Sequence, residues 1–272
     1  AVGSAGLTLA GAYGTLLIHA DGSYTYTPGA AAQALNTGDS AQDKFVYQLS
    51  DGSLTGTATL TINLTGANDA AVIGGTVTGT VKEDTTGQLT TGGTLTIADV
   101  DSPASFVPAT VGNSYGSFAI AANGSWTYTL NNADAGVQAL KEGETRTETF
   151  TVSSADGTTR NISVTLVGTN ELPTVAPASA NGSEDPAAPI PVTLGGADVD
   201  GTVVSLTLVD LPAHGTLYRD AAMTQPLAAG NTLAGSSATV YFKPDANWNG
   251  STAFHFTATD NNGGVSAQGT AS

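Results

Sequence analysis

The sequence predicts an all-β chain of tandem β-sandwiches, and three observations carry that prediction. Short motifs recur along the 272 residues at about 100-residue spacing, the size of a seven-stranded sandwich. Aromatic residues alternate with Thr at period two in Ser23-Tyr24-Thr25-Tyr26-Thr27 and again in Ser125-Trp126-Thr127-Tyr128-Thr129, which turns one side of each strand toward a core. Asp21-Gly22 and Asn123-Gly124 sit between such runs, where two-residue hairpin turns need positive φ.

The repeats set the organisation. Tyr13-Gly14-Thr15 returns as Tyr115-Gly116-Ser117 and His214-Gly215-Thr216, Asn68-Asp69 as Asn170-Glu171, and Glu83-Asp84 as Glu184-Asp185. Asp99-Val100-Asp101 returns as Asp198-Val199-Asp200, while Asp51-Gly52 maps to Asp156-Gly157 and to Asp260. Three units follow: 1–69, 70–171 and 172–272. The middle one is complete, with strands expected at 75–81, 93–97, 106–111, 116–121, 125–130, 147–153 and 161–167. Unit one lacks its N-terminal strands on this alignment, and unit three is truncated in its last strand. A half-sandwich exposes core and an open edge, so Ala1 and Ser272 read as cut points in a longer array, or a neighbouring segment completes unit one. No secretion leader opens the sequence, and Ala1 reads as the start of a fragment. Only 30–35 and 133–140 offer a short turn of helix.

Composition excludes several functions. With 23 acids against 7 bases the net charge is −16, so the clustered cations that nucleic acid or anionic lipid requires are absent. There is no Cys, hence no disulfide framework, thiolate metal site or Cys nucleophile. No run of 18 apolar residues is present to insert in a membrane. The 40% apolar residues suffice for a core. The balance of Gly, Thr, Ser, Ala and Asn resembles that of secreted bacterial surface proteins more than that of a cytosolic enzyme, by association alone.

The acids are where function concentrates. Five carboxylates, Glu171, Glu184, Asp185, Asp198 and Asp200, fall in one span with almost no base among them, and close pairs repel by about 1 kcal/mol in water and more when desolvated. Antiparallel strands alternate ends, which sorts these acids in space. One composite site combines Asn68 and Asp69 from a linker with Asp99, Asp101 and Asp156. A second combines Glu83 and Asp84, the linker residues Asn170 and Glu171, and Asp198, Asp200 and Asp260, while Glu184-Asp185 points away toward another joint. Carboxylates, amide oxygens and loop carbonyls suit the six to eight oxygens that calcium takes in flexible geometry. Magnesium, which demands tighter octahedral order, ranks second. His19, His214 and His255 neither cluster nor show ligand spacing, which disfavours transition metals. The competing reading is that Asp51, Asp156, Asp260 and the Asp-Val-Asp pairs simply close Asx turns.

Repetition argues against an enzyme, because catalysis needs titratable groups converging in one pocket and these are copied between units. His214 replaces Tyr13 and Tyr115 and so fills an aromatic slot; Trp126 occupies the Tyr24 position and reads as core. Trp248 and Tyr218 offer faces for a sugar ring or pack within unit three, which keeps a carbohydrate- or protein-binding module as the rival reading. Asn63-Leu64-Thr65 and Asn161-Ile162-Ser163 lie in expected strands and are discounted as glycosylation signals.

At these residues the chain resembles a known family. Ile97-Ala98-Asp99-Val100-Asp101, the linkers Gly66-Ala67-Asn68-Asp69-Ala70 and Gly168-Thr169-Asn170-Glu171-Leu172-Pro173, and the hairpin 116–130 are similar to the VCBS-type and cadherin-like tandem repeats of large bacterial adhesins exported by type I secretion (RTX adhesins). Lys243-Pro244-Asp245-Ala246-Asn247-Trp248-Asn249-Gly250 before Phe254-His255-Phe256 gives unit three the cadherin-like variant. The resemblance implies immunoglobulin-like, cadherin-like β-sandwich domains in an elongated extracellular array, stiffened at its linkers by Ca2+ and holding a ligand-binding region away from the cell in attachment and biofilm formation. Implied partners are calcium, neighbouring repeats, and glycans or surface proteins. In the family pattern an acid ending the first strand, an Asn-Asp linker and the next Asp-x-Asp share one joint, the same allocation that strand direction gives. Glu171 in place of the Asp of the first linker is a departure, and the glycine-rich nonapeptide calcium repeat is absent.

Overall fold

The computed structural model describes residues 6–272. The first stretch forms β1 (Leu7–Ala10), β2 (Gly14–Ile18), β3 (Tyr24–Pro28), α1 (Ala30–Gln33), β4 (Ser40–Ser50) and β5 (Thr55–Thr65). Strands β1–β2–β3 make one antiparallel sheet and β4–β5 a long hairpin. Leu16 and Phe45 are buried between them, with the Tyr26 and Phe45 rings edge-on at 6.4 Å. The Tyr26 hydroxyl donates to Asp43 Oδ2 at 2.6 Å, and Asp43 also accepts the Ala12 and Tyr13 N–H groups. Burial and that carboxylate push the Tyr26 hydroxyl up to about 12.

The hairpins correct one expectation. In 18–24 and 120–126 only the glycines take positive φ, 86° at Gly22 and 83° at Gly124. His19 pairs with Ser23 and Ala121 with Ser125 around three-residue loops, the form built from a turn followed by a left-handed glycine. The second loop residues, Asp21 and Asn123, instead accept the N–H and hydroxyl of the Ser two positions on. The Asx bond fixes the turn and leaves the strain to glycine.

The middle stretch holds β6 (Val72–Gly75), β7 (Thr78–Lys82), β8 (Thr90–Ala98), β9 (Ala109–Gly112), β10 (Gly116–Ile120), β11 (Ser125–Leu130), β12 (Thr145–Ser153) and β13 (Thr159–Val167). A five-stranded sheet ordered β6–β8–β11–β10–β9 packs on a three-stranded sheet ordered β12–β13–β7. The single first strand expected at 75–81 is two strands. β6 pairs with β8, the chain turns at Gly75 (φ 94°), and β7 runs parallel to β13 in the opposite sheet. A side chain at Gly75 would lie 2.4 Å from the Thr94 carbonyl, so the switch point admits glycine alone. Trp126 caps this crossing, its Nε1–H donating to the Thr76 carbonyl at 2.8 Å. Around it Val81, Tyr128, Ile162, Val164 and Leu166 are fully buried, the inward half of each period-two run. Residues 133–140 form hydrogen-bonded turns rather than a helix.

The last stretch comprises β14 (Thr174–Val175), β15 (Ile190–Ala197), β16 (Val203–Leu208), β17 (Gly215–Tyr218), β18 (Thr232–Ala234), β19 (Ser237–Pro244), β20 (Phe254–Asp260) and β21 (Gly269–Ala271). Sheets β14–β15–β19–β17 and β18–β16–β20–β21 enclose a core of Leu194, Leu206, Leu217, Val240 and Phe256. His214 stacks on Trp248 with ring centres 5.0 Å apart; in the equivalent slot Tyr115 instead carries Arg146 over its face at 3.8 Å. Among the described residues no helix is long and apolar enough to cross a membrane.

Candidate functional site

The first joint is built from the linker after β5 and the loops after β8 and β12. The Asp69 N–H donates to Asp101 Oδ2 at 2.9 Å. Asp156 Oδ2 accepts the Ala71 N–H at 3.0 Å and the Asn68 side-chain amide at 3.4 Å, so the linker is clasped by acids from two loops. Asp99 Oδ1 closes its own turn on the N–H groups of Asp101 and Ser102. The Ser102 N–H holds the Asp99 carboxyl below its usual range, and the hydroxyls of Ser154 and Thr158 do the same more strongly for Asp156. Two buried oxygens keep no hydrogen-bond partner, Asp99 Oδ2 and Asp101 Oδ1.

The second joint gathers more charge. β7 ends on Glu83, fully buried, whose Oε1 accepts the Thr169 N–H at 2.9 Å. Asp84 follows with φ 49°, its carboxylate taking the side-chain amides of Asn132 and Gln138. From the linker, Asn170 donates to Asp260 Oδ2 at 3.0 Å, while Glu171 is 9% exposed. Asp198 and Asp200 flank the turn between β15 and β16, Asp200 at 4% exposure. Glu83 Oε2 and both carboxylate oxygens of Glu171, Asp198 and Asp200 are buried without a hydrogen-bond partner, as is Thr169 Oγ1. Orphaned carboxylates in low dielectric hold on to their protons. Burial, helped by the charges of Asp84 and Asp200, pushes Glu83 up to about 7. Burial and the charges of Glu83, Asp200 and Asp84 push Glu171 up to about 8. Asp200 rises through burial and its neighbour Asp198. Asp260 differs: burial raises it, but the Asn170 amide and N–H groups including those of Gly264 and Asn262 outweigh that and lower it.

The structure therefore brings Asn68, Asp69, Asp99, Asp101 and Asp156 to one joint and Glu83, Asp84, Asn170, Glu171, Asp198, Asp200 and Asp260 to the other. Glu184 and Asp185 lie apart, at the other end of β15, where Asp185 (φ 46°) accepts the Asn247 N–H at 3.0 Å. Asp51 closes an exposed Asx turn with Ser53 and Leu54 and joins neither cluster.

A bacterial cadherin-like domain profile matches residues 1–66 and 68–168. The chain belongs to the bacterial cadherin-like family. A bacterial Ig domain profile matches residues 170–271 of the same cadherin-like chain. The calcium-binding lectin RapA2 of Rhizobium johnstonii is 31% identical over 190 residues, which is 60% of this chain and 75% of that protein. Among solved structures, mouse cadherin-23 EC22-24 is similar over 97% of this chain and 83% of its own at 13% identity, with a TM-score of 0.45. The human desmocollin-1 ectodomain is similar over 97% of this chain at 11% identity, with a TM-score of 0.41. The cadherin-like chain spans 64% of the protocadherin PcdhgB3 EC1-4 fragment and 50% of the desmocollin ectodomain.

Chemically, the joints of this cadherin-like chain offer hard, anionic oxygen with few competing donors, the ligand set of a calcium-class cation. The carboxylates surround each joint without being drawn onto one point: among the described residues no three Asp, Glu, His or Cys side chains form a preassembled metal shell. Sequence reasoning missed the neutral groups that frame the joints. Asn36 donates to Ser102 Oγ at 2.7 Å and Thr37 Oγ1 accepts the Asn68 N–H. Glu142 accepts the Asn170 N–H and lies 3.8 Å from Lys82 Nζ. A usable signal was present in the glycines opening each linker: side chains at Gly66 and Gly168 would strike the Asn36 and Lys141 carbonyls, which marks 36–37 and 141–142 as matching loops.

Proposed function

We propose that the chain is a calcium-stiffened extender segment of a bacterial cell-surface adhesin, a non-enzymatic spacer that carries a ligand-binding region away from the cell for attachment and biofilm formation. Its domains on this reading are a partial sandwich at 1–69, a complete one at 70–171 and a cadherin-like one at 172–272. The observation that carries the reading is the set of buried, partnerless carboxylate oxygens contributed by separate segments on both sides of one linker. Glu83, Asp84, Asn170, Glu171, Asp198, Asp200 and Asp260 would hold calcium at the second joint, and Asn68, Asp69, Asp99, Asp101 and Asp156 at the first. The bound cation supplies attraction between acids that otherwise repel, so two domains are tied into one stiff unit. The kinship with a calcium-binding lectin supports the ion.

Small-angle scattering tests this. The chain in millimolar calcium is expected to scatter as a stiff particle and in chelator as a flexible one. Asp198→Ala with Asp200→Ala is expected to keep the second joint flexible in calcium while both sandwich cores stay folded by circular dichroism. Identical scattering with and without calcium would reject the extender mechanism.

A second reading follows from the same relative and from a cavity of about 380 Å³ in unit three, lined by Ile190, Phe242, Trp248, Asn249 and Glu184 among others. An aromatic face beside polar side chains suits a sugar ring, and on this reading the segment itself binds carbohydrate. A glycan array probed with the whole chain is expected to be blank if the segment is purely a spacer; reproducible binding that Trp248→Ala removes would favour the lectin reading.

A further inference from the structure

We propose that Asn181-Gly182 and Asn249-Gly250 are sites of spontaneous deamidation, so that the third sandwich gains two negative charges at the mouth of its cavity as the protein ages. The inference is independent of the calcium reading and of carbohydrate binding.

Four Asn-Gly pairs occur in the chain, at 123, 181, 249 and 262. Glycine has no Cβ, so its amide nitrogen can approach the preceding side chain closely, and Asn is among the thermolabile residues. In the reaction the glycine nitrogen gives up its proton and attacks the side-chain carbonyl carbon of Asn. A C–N bond forms, the chain closes into a five-membered imide, and the side-chain nitrogen leaves with that proton as ammonia. Water then adds to one of the two imide carbonyls and breaks its bond to the ring nitrogen. Opening on one side gives Asp; opening on the other gives isoaspartate, with the main chain running through the former side chain. Water is the only reagent consumed, and an ionised carboxylate replaces a neutral amide.

Tertiary structure separates four pairs that look alike in sequence. The Gly124 N–H donates to the Ala121 carbonyl at 2.9 Å, and Asn123 Oδ1 accepts the N–H and hydroxyl of Ser125. The Gly263 N–H donates to the Asp260 carbonyl at 3.3 Å, and Asn262 Oδ1 accepts the Asn261 side-chain amide at 2.7 Å. In these two pairs the attacking nitrogen is occupied and the side chain is fixed, so ring closure must first break hydrogen bonds. Among the described residues the N–H groups of Gly182 and Gly250 find no backbone acceptor. Asn181, Gly182, Asn249 and Gly250 are all exposed and lie outside the strands, which leaves the nitrogen free to turn and lets water reach the imide. The fold nevertheless demands both glycines. A side chain at Gly182 would strike Ile190, and Gly250 has φ 146°, a conformation that other residues rarely adopt.

The two sites lie together. The Asn247 N–H, donated to Asp185 at 3.0 Å, ties the loop holding Asn181 to the loop holding Asn249, and Asn181, Glu184 and Asn249 line one cavity that no Lys or Arg enters. New carboxylates there stand beside Glu184 without a cation, where like charges repel, so the cavity mouth turns increasingly against anionic ligands.

Peptide mapping of the whole folded chain during incubation in warm, mildly alkaline buffer tests this, with mass spectrometry and isoaspartate detection as the readouts. Asn181 and Asn249 are expected to convert about fivefold faster than Asn123 and Asn262, the factor that one hydrogen bond of ordinary strength supplies. In concentrated urea the four are expected to convert at similar rates. Asn181→Gln with Asn249→Gln is expected to hold the isoelectric point constant over an incubation in which the parent becomes more acidic. Absence of conversion at Asn181 or Asn249, or conversion of Asn123 or Asn262 as fast as either, would overturn the proposal. A rate difference that persisted in urea would overturn it as well, because the difference would then belong to local sequence and not to the fold.

Discussion

In chelator, the chain is expected to lose stability steadily as pH rises from about 5 to 8, and calcium is expected to reverse that loss. Glu83 and Glu171 ionise near 4.5 when unfolded but only at about 7 and about 8 when folded. Between those limits the folded chain holds protons that the unfolded chain has released. Stability from these groups is therefore complete below about pH 4.5 and is lost as pH climbs through the folded values. Asp99, Asp156 and Asp260 shift the other way, and their contribution disappears only on acidification below about pH 4. Calcium requires the ionised carboxylates, so binding releases the retained protons and stabilises most at the alkaline end. Glu83→Gln with Glu171→Gln makes opposite demands on the two conditions. It is expected to raise the melting temperature in chelator at pH 8, flatten the pH slope, and shrink the response to calcium. A double variant that kept the full calcium response, or a parent chain that grew more stable toward pH 8 without ions, would show that these two acids are not the ion's ligands.

Replacing Trp126 is expected to have the largest effect on stability. Its ring is 1% exposed, stacks on Phe118 with centres 5.9 Å apart, and fills the space left by Gly79 and Gly93, where added side chains would contact it. Trp126→Ala removes that packing and strands the Thr76 carbonyl at the sheet-switching point. Deletion of a buried aromatic of this size costs about 3–5 kcal/mol. For a domain of about 100 residues this lowers the unfolding temperature by on the order of 15–30 °C. Calorimetry is expected to show the transition of the middle sandwich displaced downward, while Trp248 fluorescence reports the third sandwich unfolding near its original temperature. A shift of less than about 5 °C would mean that the switch between β6 and β7 is held by other contacts. Tyr24, the counterpart of Trp126 in the first repeat, is 51% exposed, and Tyr24→Ala is expected to be nearly neutral.

The surroundings of Trp126 separate what a sequence encodes from what a fold decides. The alternation in Ser125–Leu130 and in Thr159–Val167 determines strands by itself, because period two is a local property and one face must be buried. Strand direction places the acids: β7 runs parallel to β13, so Glu83 and Glu171 follow strand ends on the same side, while Glu184 precedes β15 and Asp198 follows it. The burial of Trp126 is decided by a partner strand, β8, that pairs with β11 and sets Gly93 against its ring. The division of the first strand at Gly75 is likewise set by the nearness of the Thr94 carbonyl, a contact across the sheet that local pattern does not contain. The acids themselves follow the same rule. Asp99-Val100-Asp101 and Asp198-Val199-Asp200 are identical in sequence, yet Asp200 is 4% exposed and its carboxyl is raised by burial and by Asp198, while the Ser102 N–H holds Asp99 low. Sequence alone determined that acids gather at the linkers. Only the tertiary structure decided which of them are buried and which are hydrogen-bonded, because both depend on what the rest of the chain brings alongside.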